Sequence, residues 1–164
     1  MKRSPMAFMS YAHIDNDDDR LTEFRKRLSK EVGKYTGDEF PIFQDTDIEW
    51  GQNWKERIEN SLDEVTFFIP IITPSFIKSN NCQKELLIFR DREKKLKRND
   101  LILPVYYIEV MQQDEIDRIA GYPQYVDWKT LRFESFGSTK VRKAMANLAV
   151  QVRNALIWRG KDCQ

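Results

Sequence analysis

The chain holds a single histidine and two cysteines among its 164 residues. One histidine, His13, cannot build a histidine-rich metal site. Cys82 and Cys163 stand far apart and match neither a disulfide framework nor a CxxC motif, so both read as reduced thiols. The six glycines nowhere form GxGxxG or GxxxxGK[ST], which removes the standard dinucleotide and P-loop phosphate cradles. No apolar run is long enough to span a bilayer, and the opening Met1-Lys2-Arg3-Ser4-Pro5 lacks the apolar stretch of a signal peptide. Neither sign of charge is in surplus: 27 basic and 26 acidic side chains leave +1, so no overall field draws the chain onto nucleic acid or an anionic membrane. The chain reads as cytoplasmic. No repeat, linker or low-complexity tract divides it, and 164 residues with 41% hydrophobic content suffice for one core but not two. A single domain over residues 1–164 is expected.

What is present is alternation. Short apolar runs are separated by longer amphipathic stretches, the pattern of a parallel sheet covered by helices. Ala7 to Tyr11 predicts a buried strand. From Asp17 to Tyr35, Leu21, Phe24, Leu28 and Val32 recur at steps of three or four and predict a helix, which Gly33 and Gly37 should stop. Phe40-Pro41-Ile42-Phe43 predicts a short strand. Trp54, Ile58 and Leu62 predict a second helix over 53–63. Val65 to Ile72, almost wholly apolar, should be the central strand, with Pro70 near its end or at a bulge because proline donates no ladder hydrogen bond. A helix over 81–96 should carry Leu86, Leu87 and Phe89 inward and the charged run Arg90 to Arg98 outward. Leu101 to Ile108 predicts a fourth strand and Tyr125 to Trp128 a fifth. Val141, Met145, Leu148, Val152 and Ala155 describe a closing helix. The fold class is therefore α/β, a flavodoxin-like three-layer arrangement with a central five-stranded parallel sheet flanked by helices.

Such sheets bind ligands at the carboxyl ends of their strands, which directs attention to the loops after Tyr11, Phe43 and Ile72. Asp15, Asp17 and Asp19 have the opening spacing of a calcium loop, but Arg20 replaces the required glycine and Lys26 the closing glutamate. They read instead as a solvated helix start whose carboxylates complement the dipole. A phosphoacceptor domain needs an aspartate at the end of the third strand, where Ile72-Thr73-Pro74 offers none. No Ser/His/Asp pattern emerges.

Four separated segments carry a more specific signal. Phe8-Met9-Ser10-Tyr11 with Asp15, Phe43-Gln44-Asp45 with Trp50-Gly51 and Trp54, Phe68 to Phe76, and Ser79 with Cys82-Gln83-Lys84-Glu85-Leu86 resemble, in order, four boxes of the Toll/interleukin-1 receptor (TIR) domain. The resemblance is close over residues 4–108 and looser beyond. It implies, after the bacterial NAD-cleaving members, a glycohydrolase that breaks the nicotinamide–ribose bond, with Glu85 as the catalytic carboxylate and NAD+ as substrate rather than cofactor. No metal is required. An ionised carboxylate beside the ribose would stabilise the oxocarbenium character that develops as the C–N bond breaks. Tyr11, Ala12, His13, Asp45, Trp50, Gly51 and Cys82 are the candidate substrate contacts. Each has a plainer reading: His13 as a surface side chain, Asp45 as a turn cap, Trp50 as a lid over the sheet end, and Cys82 as a small buried hydrophobe. Trp54 belongs with the core, and the basic run from Lys94 to Arg98 reads as a solvated face.

Many active relatives carry a tryptophan four residues before the glutamate. Here that position is Asn81, which favours the alternative implied by the same resemblance, a non-catalytic TIR–TIR signalling scaffold. The partners so implied are other TIR domains engaged through the BB loop around Trp50, with activity appearing on oligomerisation, and a C-terminal sensor domain in a longer protein. The compact end at Arg159 to Gln164 is read in that sense. A role in antiphage defence by NAD depletion is likewise implied by resemblance alone.

Overall fold

A computed structural model of the protein describes residues 5–44, 66–111 and 126–162, with side chains described as far as Ile157. Alternation along two strands sets up its layers. Strand β1 runs over Met6–Ser10, and β3, buried throughout, over Thr66–Ile72. Odd-numbered Ala7, Met9, Phe67, Ile69 and Ile71 enter one core cluster with Leu21, Phe24, Leu28 and Val32 of α1 (Arg20–Thr36) and with Val141, Met145, Leu148 and Val152 of the closing helix α4 (Thr139–Asp162). Even-numbered Phe8, Phe68 and Ile72 enter a second cluster with Phe76 of α2 (Pro74–Lys78) and with Cys82, Leu86 and Phe89 of α3 (Asn80–Leu96). Side chains on both faces are thus removed from water, as a parallel sheet requires. Each fully buried Leu, Ile or Phe contributes roughly 1.5–3 kcal/mol of transfer free energy.

With β2 (Ile42–Phe43), β4 (Val105–Tyr106) and β5 (Val126–Asp127), the described strands form one parallel five-stranded sheet in the order β2-β1-β3-β4-β5. This is the expected flavodoxin-like order, with β3 central. Its helices begin and end on the residues the chemistry favours. Gly37, at φ 77°, closes α1 by donating its N–H to the Gly33 carbonyl at 2.8 Å, a left-handed conformation that a Cβ would strain. The Thr73 hydroxyl caps α2 ahead of Pro74, and the Ser79 hydroxyl caps α3, accepting from the Cys82 N–H at 3.3 Å,.

Pro70 stands inside β3, in register with Ser10, rather than at its end. The reason lies on the β4 side. Phe68 gives its N–H to the Leu101 carbonyl and takes one from Leu103, both at 2.8 Å. Pro70, two residues on, points its nitrogen the same way and has nothing to give. Pairing is interrupted between the Phe68–Ile102 bridge and the Ile71–Val105 pair. The expected fourth strand over 101–108 consequently pairs regularly only at Val105–Tyr106.

Helix α3 departs from expectation on both of its faces. Leu87 is 55% exposed, because the buried stripe runs through Cys82, Glu85, Leu86, Phe89, Arg92 and Glu93. Arg92 and Glu93 were expected outward and lie inside. Arg92 donates to the Thr66 carbonyl at 2.9 Å, and Glu93 accepts from the Leu101 and Ile102 N–H groups at 3.0 and 3.3 Å. They satisfy backbone groups at the amino end of β3 and in the segment that leads into β4. The predicted helix over 53–63, with Trp54, Ile58 and Leu62, lies outside the described residues, as do Val65, Tyr125 and Cys163.

Candidate active site

In this strand order the chain leaves β1 toward β2 and returns beyond β1 as β3, so the switch point lies between the carboxyl ends of β1 and β3,. A polar clasp crosses it. The Thr73 hydroxyl donates to the Asp15 carboxylate and accepts from the Phe76 N–H at 3.0 Å. Asp15 lies in the 3₁₀ turn His13–Asn16 that follows β1. Its carboxyl is pushed above the ordinary aspartate value, chiefly by burial; the Thr73 hydrogen bond opposes this, Asp17 adds to it and Arg132 opposes it,. The aspartate run is therefore not a uniformly solvated helix start. Asn16 does the capping, its Oδ1 accepting from the Leu21 N–H at 2.9 Å and the Thr22 N–H at 3.3 Å, whereas Asp19, at φ 60°, makes no side-chain cap.

Tyr11, Ala12 and His13 leave β1 in different directions. Tyr11 is buried in the cluster on the α1 and α4 face, and its hydroxyl donates to Gln44 Oε1 at 3.3 Å, joining the ends of β1 and β2. Ala12 accepts from the Asp15 N–H at 2.9 Å. His13 is exposed, with its ring edge-on to Tyr11 at 5.8 Å between centroids. Asp45, Trp50 and Gly51 lie outside the described residues.

Glu85 and Cys82 are brought together on the opposite face, both on the buried stripe of α3 at 6% and 3% exposure. Their height along the strands follows from three contacts. Phe89 stacks on Phe68 at 4.4 Å and lies 6.3 Å from Phe8, and Arg92, farther along α3, reaches Thr66 at the start of β3. The helix thus descends as the strands ascend. Glu85 is one turn above Phe89, about 6 Å. Ser10 and Pro70 are two residues above Phe8 and Phe68, about 6.6 Å. Glu85 therefore stands level with Ser10 and Pro70, near the carboxyl edge.

Ser10 is the residue that sequence reasoning passed over. It is 1% exposed, its even position puts it on the α3 face, and among the described residues its Oγ has no hydrogen-bond partner. A buried hydroxyl left in that state costs about 1–3 kcal/mol. The signal was legible: Ser10 is the one polar side chain in the run from Ala7 to Met9 and onward to the strand end, with the parity of Phe8. Asn81, a turn above Glu85, is exposed.

A family model described as TIR domain matches residues 8–143, from β1 into α4. The chain belongs to the TIR domain family. That match spans the clasp, Ser10 and the whole of α3, and it agrees with the observed flavodoxin-like sheet. TIR domains include NAD-cleaving enzymes and domains that self-associate in signalling. No curated protein matches the chain. Among the described residues no helix is long and apolar enough to cross a membrane.

Proposed function

We propose that this TIR domain cleaves NAD+ at the nicotinamide–ribose bond, with Glu85 as the carboxylate beside the reacting ribose. The observation that carries the reading is the position of Glu85. A carboxylate nearly excluded from water on a helix stripe that is otherwise largely apolar is a position worth explaining,. Glu93, on the same stripe, has a structural task in holding two strand amides. Glu85 sits instead at the level of Ser10, at the end of the sheet where folds of this order take their ligands.

In the reaction the C–N bond breaks with both electrons going to the ring, so nicotinamide departs neutral and positive charge develops at the ribose C1′. Glu85 stabilises that charge and orients the ribose hydroxyls. Water adds to C1′, loses a proton and yields ADP-ribose; an internal or exogenous nucleophile at the same centre yields a cyclic or base-exchanged product. Ser10, with its hydroxyl buried on the same face, supplies a donor to the carboxylate or to a ribose oxygen. Tyr11, Ala12, His13, Asp45, Trp50, Gly51 and Cys82 complete the proposed surroundings, with Trp50 and Gly51 reaching the pocket of a neighbouring copy on oligomerisation. A C-terminal sensor domain as trigger and NAD depletion in antiphage defence belong to the same proposal.

The test is NAD+ consumption by concentrated or artificially clustered protein, with products separated by chromatography. Glu85→Gln and Glu85→Ala should each lower turnover by at least about a hundredfold, with a thermal melt to check that each variant folds. The exposed Asn81 supports a second reading, a scaffold in which the fold self-associates without chemistry. Clustered wild-type protein that stays folded, self-associates and leaves NAD+ intact would establish it.

A further inference from the structure

Charge is balanced over the chain but not over its surface. Helices α1 and α4 lie side by side on one face of the sheet, and the groove between their outer flanks encloses about 590 Å³. Lys26, Arg27, Lys30 and Lys34 line it from α1 and Arg142 and Lys143 from α4, all six exposed. Among the described residues two carboxylates face them, and both are engaged: Glu23 with Arg27 at 2.8 Å and Glu31 with Lys34 at 3.6 Å. Six cations against two carboxylates leave four positive charges in one groove, on a chain whose net charge is +1. Among the described residues, Lys26, Lys30, Arg142 and Lys143 enter no ion pair.

That arrangement carries an electrostatic cost. Lys26, Lys30 and Lys34 repeat at intervals of four, where like charges on a helix repel one another. Two further cations face them across the groove. An anion between the walls turns this repulsion into attraction.

The lining also narrows the chemistry of the anion. The Phe136 ring is covered by the guanidinium groups of Arg20 at 4.4 Å and Arg27 at 5.1 Å. Two guanidinium groups already occupy this ring, the one aromatic among the described lining residues, so nucleic-acid bases would have to compete with them to stack there,. Met145 is buried, so a peptide would find no deep apolar pocket for an anchoring side chain. Affinity must come from charge density over a short span, about 12 Å of helix axis from Lys26 to Lys34. We propose that the α1–α4 groove binds a small ligand bearing a chain of phosphates, of oligophosphate or nucleoside-triphosphate size, through Lys26, Lys30, Arg142 and Lys143. It is a site separate from the Glu85 pocket, which lies on the other face of the sheet.

The experiment is titration calorimetry of the intact chain with inorganic tripolyphosphate at low and moderate salt. Binding should be saturable, weaken as salt rises, and fall by at least about tenfold in Lys30→Glu/Arg142→Glu. Both positions are exposed, and a circular dichroism melt checks that the variant folds. Lys95→Glu, on α3, should leave binding unchanged. Absence of tripolyphosphate binding at low salt, or equal binding by the double variant, overturns the proposal. So does tighter binding, at equal phosphate, of a decathymidylate, which makes the groove a nucleic-acid surface, or equal binding of hexaglutamate, which removes the preference for phosphate.

Discussion

Ser10 and Glu85 show how a side chain at odds with its surroundings points to chemistry. Both are polar and both are nearly excluded from solvent, on faces that are otherwise largely apolar. Removing the Ser10 hydroxyl deletes a buried donor that no described residue satisfies, so Ser10→Ala should leave stability unchanged or raise it by about 1 kcal/mol. The same substitution should lower kcat/KM for NAD+ by about tenfold. Thermal melts beside steady-state kinetics decide the matter: a loss of stability with unaltered kinetics would show that the hydroxyl serves the fold. Glu85 was legible in the sequence because its box, Cys82 to Leu86, is a recognisable pattern. Ser10 was hidden inside another such box, where Tyr11 drew attention although its ring faces the α1 and α4 layer. Sequence shows which residues neighbour a strand end; the parity that sends them to opposite layers becomes decisive only once a helix is fixed over one face.

Among the elements, α3 taught most. Its apolar period located the helix to within a residue, yet the three-to-four spacing alone could not separate Leu87 from the stripe or bring Arg92 and Glu93 into it. A run reading as Arg-Asp-Arg-Glu-Lys-Lys looks solvated unless the strand amides that need partners are known. Glu93→Ala removes the acceptor for the Leu101 and Ile102 N–H groups and should cost roughly 2–4 kcal/mol in urea unfolding. Glu93→Gln keeps an acceptor and should cost much less. The two proteins also differ in pH response. Burial, first, pushes the Glu93 carboxyl above the ordinary glutamate value of 4.5, with the two backbone hydrogen bonds opposing and Asp100 and Arg98 contributing smaller effects of opposite sign. The folded state therefore holds this proton more tightly than the unfolded chain. Stability linked to the protonated form is fully present below the unfolded value and is lost as pH rises through the folded one. Wild type should lose stability relative to Glu93→Gln as pH rises from about 4 toward neutrality, and a constant difference would show that folding leaves the proton affinity of Glu93 unchanged.

For the molecule as a whole, the alternation of apolar runs with amphipathic stretches was enough for the layers, the parallel five-stranded sheet and the central place of β3. It was not enough for the edges of β4, because the interruption opposite Pro70 depends on which neighbour a proline nitrogen faces. Assembly belongs to this scale too. If pockets are completed between copies, NADase activity per molecule should rise steeply with protein concentration or with fusion to a clustering partner. Activity that is flat from nanomolar to high micromolar concentration would place a complete pocket within each copy.

Pro70 has a mechanical consequence. Because it gives no hydrogen bond toward β4, the sheet divides there into one leaf of β2, β1 and β3 and one of β4 and β5, joined by a seam interrupted between the Phe68–Ile102 bridge and the Ile71–Val105 pair. Opening along that seam exposes less backbone than unfolding the whole domain, so amides of Val105, Tyr106 and Val126 should exchange with deuterium well before those of Ala7, Phe8 and Ile69. The leaf that bears the proposed catalytic face would then stay closed while its neighbour breathes.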